Sequence, residues 1–439
     1  MVNLDLEVEI LFWIIYLMTP ITGFFLLRSA KIDILKISIP SIFFNYFIIV
    51  SYVGILPIFY GWNSYAIEIG VVDASRILTI LLYNSFSLLL IIFGFFVMEK
   101  IVRGRYYNIS HYEFLSKKSI FVISWIAVVC IIVGIIFLKK IPQIPLFLIS
   151  DPINAKIARS EATNAFMGKY HRYQLFFGVI LPFCVYVLLG NALIKKKIRD
   201  WITFFIFLTF SIFFSIFDIQ KAPLLWLILG CYFVYCRRHE KKINVRMLTQ
   251  ILFIVISISV LLVGFFMGGL GRVKDTFFAT LGRIFCGAII PIYFYLEIFP
   301  HQQDYLFGKS LPNPMNIFPW EHYRLTVEVM NYIFPYLSEK NIVGSAPTVY
   351  WGEIYANVGP IGIFAIAPLI GMLLFLFHME LEKLKNNPVK IALIVWVGMH
   401  FMMLSETGVS YLLFDTKLIT VLLIGLFVNH IDKKNYRKE

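Results

Sequence analysis

The chain has 439 residues, of which 59% are hydrophobic and only 15% charged, and its mean hydropathy is +0.80. A soluble domain carries about 25% charged residues, so a soluble enzyme is excluded, and no composition shift over about 100 residues marks a second domain. The net charge of +13 sits mostly in short loops between apolar runs, which is how cytoplasmic loops orient a membrane chain. It does not form the clustered basic face of a nucleic-acid binder, so no nucleic acid is expected as a partner.

The N-terminus places Asp5, Glu7 and Glu9 before its first apolar run and lacks the basic start and small-residue cleavage site of a signal peptide, so that run is expected to stay as a span. Apolar runs follow at roughly 10–27, 34–56, 76–98, 119–138, 173–194, 200–217, 222–236, 248–267, 276–298, 354–377, 391–405 and 410–430. Each is expected as a helix, because in lipid every backbone group must be bonded within its own segment. The expectation is an all-α polytopic membrane protein with about 11–12 transmembrane helices, forming a single integral domain over 1–439. The five cysteines (Cys130, Cys184, Cys231, Cys236, Cys286) fall inside apolar runs and read as small core residues.

The strongest basic loops are Arg103 to Lys118, Lys195 to Arg199, Arg237 to Arg246 and Lys433 to Lys438. Placing all four in the cytoplasm puts outside the N-terminus and the loops at about 57–75, 139–172 and 299–350. Five runs then separate Arg246 from Lys433, although both ends belong on the same side. One run therefore does not cross, and 276–298 is the candidate. It follows Gly268, Gly269, Gly271, Arg272, Lys274 and Asp275, and it contains Arg283 and Pro291. A broken or re-entrant segment facing an outer cavity is expected there, since irregular backbone at membrane depth needs protein or water around it. The alternative is a miscount elsewhere, at the short run 391–405. The loop 299–350 holds six prolines and several aromatics, including Trp320, Tyr323 and Tyr332, and is expected to fold on the outer face.

Charges on this outer side are the candidate functional residues, because charge at membrane depth is costly. Arg159, Glu161, Lys169, His171 and Arg172 oppose the topogenic rule, which an anionic headgroup would explain and a solvated loop of ion pairs would also explain. Asp218, Gln220 and Lys221 form the polar break between two short helices. Lys221 is expected either at a solvated hairpin tip or pointing into the outer cavity. Arg272 and Arg283, eleven residues apart, would share a helix face about 16 Å apart, and arginine suits forked contacts with phosphate oxygens. In the large loop, His301, Glu321, His322, Arg324 and Glu328 include possible proton acceptors, though a loop histidine is more often structural. A helix is expected to start near Pro347 with Ser345 as its N-cap, placing Glu353 at the mouth of the next span.

The stretch Gly344 … Gly352-Glu353-Ile354-Tyr355-Ala356-Asn357 … Gly359 … Gly362, between a long outer loop and a late span, resembles the O-antigen polymerase (Wzy-type) family of oligosaccharide repeat-unit polymerases. The segment Asp151-Pro152 … Ala158-Arg159-Ser160-Glu161 … Gly168 is similar to a second recurrent stretch of that family, although eight residues separate Arg159 from Gly168 where some members have ten. The resemblance implies a glycosyltransferase of the bacterial inner membrane. It would move a growing glycan (O-antigen or capsular polysaccharide) from undecaprenyl pyrophosphate onto the next lipid-linked repeat unit, with membrane lipid around it and a chain-length regulator protein as a partner. Glu353 and His322 are the candidate catalytic bases. Arg159, Arg172, Lys221, Arg272, Arg283, Tyr355 and Asn357 are the candidate substrate and pyrophosphate contacts. Arg159, Arg172, Arg283 and Glu353 are expected to line one outer cavity. No Asp-x-Asp pair lies on an outer loop, so neither a metal nor another cofactor is implied. An O-antigen ligase shares the donor and stays open, as does a lipid-linked oligosaccharide flippase, a transporter that should show internal repeats.

Overall fold

The computed structural model describes residues 5–102, 112–148, 151–163, 170–220, 222–243, 249–250, 253, 257, 273–339 and 343–436. Among them the chain is helical, with no strand. The long elements are α1 (Leu6–Ser29), α2 (Ile39–Phe59), α3 (Ala74–Val102), α4 (Lys117–Lys140), α5 (Tyr170–Lys195) and α6 (Ile198–Ile216). There follow α7 (Ala222–Arg238), α8 (Val273–Cys286) and α9 (Ile290–Ile298). The chain closes with α10 (Tyr350–Glu382), α11 (Pro388–Ser405), a short 3-10 turn (Val409–Leu412) and α12 (Thr416–Tyr436), the last two forming one candidate span over Val409–Asp432. Nine of these described helices are long and apolar enough to cross a membrane, and α8 with α9 forms a further candidate bent by 49°. The fold is an all-α polytopic membrane protein. The run expected at 248–267 falls largely outside the described residues.

Short polar signals start several helices at one end of the bundle. Ser38 and Ser41 cap α2 reciprocally, with Pro40 in its first turn. Ser116 accepts from the Ser119 amide at the start of α4, and Asn387 accepts from the Lys390 amide at the start of α11. The same end holds the ion pairs Lys31–Glu99 (2.6 Å), Lys242–Asp33 (3.3 Å), Lys385–Asp432 (3.4 Å) and Arg237–Glu382. The described residues of the basic segments predicted to share one side, among them Lys195 beside Phe114 and Arg237 beside Glu382, thus do gather at one end.

The far end carries Arg76–Glu297 (3.0 Å), tying α9 to the start of α3. Ile243, by contrast, bonds Leu35 at the basic end. One net crossing therefore lies between residues 243 and 297, where the sequence holds two apolar runs. This is the parity that the charge pattern demanded. The break falls at 287–289, just before Pro291 in the first turn of α9.

In their most apolar windows α5 and α11 are 89% buried and α1 only 22%, so α5 and α11 are central and α1 faces lipid. Lipid offers helices no hydrophobic drive to associate, so close backbone packing does that work. It is tightest between α3 and α10. A Cβ on Gly94 would stand 2.2 Å from the Pro368 carbonyl oxygen, and one on Gly371 would stand 2.0 Å from that of Ile91. Both obstacles are backbone and cannot rotate away. Gly371→Val is therefore expected to cost at least about 3 kcal/mol, the upper end for overpacking. Thermal unfolding in detergent checks this, and a wild-type midpoint would show that the helices part freely.

Candidate functional site

The site is built on the first part of α10. Gly359 adopts φ +70° inside this helix, and Pro360 follows it. A side chain at 359 would be strained there and would also meet the Tyr305 ring at 2.8 Å. The kink separates the lipid-spanning part from a short helix, 350–358, buried except at Val358. It also orphans carbonyls. Pro360 has no N–H to give Ala356, so the Leu306 amide bonds the Ala356 oxygen instead (3.0 Å). The Phe307 amide bonds the Asn357 oxygen (2.9 Å), and the Gly308 amide bonds Asn357 Oδ1 (2.8 Å). The large loop thus docks on the helix at the groups the kink sets free. On its other face, Trp351 donates to Asn84 Oδ1 (2.9 Å) and Tyr350 to the Ser87 carbonyl (3.2 Å), both on α3.

Ser345 does not cap this helix. Helix α10 begins at Tyr350, and Ser345 lies exposed in an extended segment. Pro347 disfavours helical backbone at Ala346. The segment is instead held across the fold, by the Ala346 amide on Thr326 (2.8 Å) and the Thr348 hydroxyl on Ala288 (2.6 Å).

Glu353 is 6% exposed. Its Oε1 accepts from the Ser310 hydroxyl (3.0 Å) and its Oε2 from the Ser410 amide (2.7 Å). Asn357 donates to Ser310 Oγ and to the Glu353 carbonyl, each at 2.7 Å. Glu353 therefore joins the large loop to the turn between α11 and α12. That turn passes so close that a Cβ on Gly408 would lie 2.2 Å from Glu353 Oε2. His322 is near enough to act on Glu353 electrostatically, while its Nδ1 lies 3.1 Å from the Leu311 carbonyl. Tyr355 donates to the Phe299 carbonyl (3.2 Å) and packs against Tyr83 and Tyr305.

The same turn presents Glu406, which accepts from the Tyr46 hydroxyl (2.9 Å). Burial pushes its carboxyl above the ordinary range, while the Tyr46 hydroxyl and the charge of Arg283 pull the other way. Arg283 is exposed near the C-terminal end of α8, close enough for its charge to reach Glu406 and Tyr65. Against the same turn, His400 near the end of α11 lies between the Asp415 carboxylate at Nε2 and the Tyr411 hydroxyl at Nδ1 (3.1 Å).

Arg159 stands elsewhere on the far end. Its charge acts on Asp218 and Tyr170, and the Tyr170 hydroxyl donates to Asp218 (3.3 Å). Burial raises the Asp218 carboxyl, opposed by the Gln220 amide and Arg159. Arg172 is exposed near the start of α5. The structure thus brings Glu353, Asn357, His322 and Arg283 around one turn and sets Arg159 beside Asp218. Lys221 and Arg272 lie outside the described residues.

Sequence reasoning passed over Ser310, Tyr46, His400, Glu406, Ser410 and Asp415. Glu406 and Asp415 were legible as charges flanking or interrupting apolar runs. Ser310 and Tyr46 carry no such signal. A cavity of about 130 Å³ at the basic end, lined by Lys36, Arg237, Lys241, Lys390, Glu240 and Glu382, was also not foreseen.

The fold places the chain among multi-pass membrane proteins of the all-α class. Compared with known proteins, it matches no family model, no curated protein and no solved structure.

Proposed function

We propose that the protein polymerises lipid-pyrophosphate-linked oligosaccharide repeat units, of O-antigen or capsular type, at the outer face of the bacterial inner membrane. The observation that carries the reading is Arg283, an exposed guanidinium next to a break between helices, whose charge reaches the Glu406 carboxylate on the turn that Glu353 also holds. In the reaction, the bond from the donor's anomeric carbon to the pyrophosphate oxygen breaks. A hydroxyl of the acceptor unit forms the new glycosidic bond, its proton passes to a base, and undecaprenyl pyrophosphate leaves. Negative charge grows on that pyrophosphate in the transition state, where a preorganised arginine stabilises it selectively. Arg159 and Arg172 extend positive charge along the same end for the lipid-linked substrates. Glu353 and His322 remain the base candidates from the sequence, although both Glu353 oxygens already hold donors.

The test is the surface-glycan profile on a gel of a strain lacking the protein, with and without complementation. The expected result is glycan carrying a single repeat unit with the long ladder absent, restored by the wild-type chain. Loss of the single unit with lipid-linked units accumulating outside indicates a ligase, and accumulation inside indicates a flippase. An unchanged ladder overturns the reading.

A further inference from the structure

His400, Tyr411 and Asp415 form a chain of hydrogen bonds that the candidate residues above do not use. Asp415 is held rigidly. Its Oδ1 caps α12 by accepting from the Lys417 and Leu418 amides (2.9 and 3.1 Å), and its Oδ2 meets His400 Nε2. A carboxylate can only accept, so Nε2 carries the imidazole proton. Nδ1 is then a lone pair, and the Tyr411 hydroxyl, 3.1 Å away, donates to it. The imidazole is fixed in plane as well, stacked on Trp396 (4.9 Å, 11°) and on Tyr411 (4.8 Å, 29°).

His400 is 6% exposed and cannot itself touch a substrate, whereas Tyr411 is half-buried at the far end of the bundle. The Tyr411 hydroxyl hydrogen is committed to His400, and its oxygen lone pairs take no bond from a described residue. Tyr411 also follows Ser410, whose amide holds Glu353, and the charge of Glu406 falls on it. The chain therefore opens onto the turn that Glu353, Glu406 and Arg283 surround.

We propose, resting on the polymerase reading, that Tyr411 is the catalytic residue that takes the proton of the attacking sugar hydroxyl, with His400 and Asp415 positioning and driving it. As the acceptor oxygen bonds the anomeric carbon, its O–H breaks and the proton joins the Tyr411 oxygen. The Tyr411 hydroxyl proton moves to His400 Nδ1, giving an imidazolium that the Asp415 carboxylate stabilises. The electron pair of the cleaved carbon–oxygen bond leaves with the pyrophosphate. The imidazolium proton then returns through Tyr411 to the departing pyrophosphate or to water, which resets the chain. The other charges facing the relay are Glu406 and Lys417, whose Nζ is 6.0 Å from the Tyr411 ring. Trp396 and Phe401 close its remaining sides.

The test uses the purified full chain in detergent with lipid-linked repeat units extracted from a strain lacking it, and reads glycan length against time at several substrate concentrations. Tyr411→Phe keeps the stacked ring and is expected to lower turnover about 10²-fold with unchanged KM and unfolding midpoint. His400→Gln, whose side chain cannot take the relayed proton, is expected to lower kcat by a similar factor with KM unchanged. Tyr411→Phe or His400→Gln at the wild-type turnover overturns the relay while leaving the polymerase reading standing. Failure of the wild-type chain to lengthen glycan overturns both.

Discussion

Arg283→Ala is expected to remove the long glycan ladder while the protein still reaches the membrane and the single repeat unit is still displayed. Removing one preorganised donor from a developing anion costs about 10²–10³-fold in rate, or about 3–4 kcal/mol. The fold should tolerate the change, because Arg283 is exposed and its side chain, among the described residues, acts through longer-range charge on Glu406 and Tyr65. Glu406 would lose the charge that favours its ionised form, so a small shift in the pH at which the protein is most stable is also expected. Arg283→Lys keeps the charge and loses the planar fork, so its ladder should be shortened rather than absent. Glycan gels of the complemented deletion strain, with membrane content measured on the same samples, check the two ladders, and thermal unfolding across pH checks the shift. A full ladder with Arg283→Ala would remove the anion site from the argument.

The second large effect falls on Glu353 and separates two roles for it. Glu353→Ala strips the partner from the Ser310 hydroxyl and the Ser410 amide at once. Each bond to a carboxylate is worth about 1.5–3 kcal/mol, so the loss should reach about 3–5 kcal/mol and free the large loop from the turn at 406–411. Glu353→Gln is milder. Its carbonyl can accept from Ser410, and its amide can donate to Ser310 Oγ, which already accepts from Asn357. A cost of about 1–2 kcal/mol is expected for the displaced hydroxyl hydrogen. Thermal unfolding of the two variants measures this difference directly. If Glu353 joins the loops without taking the proton, the Gln variant keeps most of its polymerising activity. A folded Glu353→Gln protein with no activity would make Glu353 the base and displace Tyr411.

The class of protein was legible from composition, and the order of the apolar helices from hydropathy, because spanning lipid imposes a length and a polarity that no neighbour can alter; of the about 11–12 spans expected, the described residues give nine, or ten with the bent pair. Charge asymmetry went further. It assigned the basic loops to one end and found one crossing too many before Lys433, a surplus that falls between residues 243 and 297, whose ends lie at opposite ends of the bundle. The Gly359-Pro360 pair marked a kink in the sequence, since Pro360 must orphan the Ala356 carbonyl. That the orphan is met by Leu306, fifty residues upstream, was decided by tertiary structure.

The site divides the same way. Glu353, Asn357 and Arg283 stood out as polar groups in apolar or glycine-rich surroundings. Ser310 and Tyr46 are ordinary side chains until folding sets them against Glu353 and Glu406. The expected cap at Ser345 failed because a local preference lost to bonds made with Thr326 and Ala288 across the fold. The His400–Asp415 pair spans fifteen residues and a reversal of chain direction, and its partner Tyr411 sits on the turn between. The sequence by itself determined which segments enter the membrane, because that follows from each segment's own transfer free energy. Only the tertiary structure decided which polar groups meet, because that depends on how the helices pack and where their broken ends leave backbone to be satisfied.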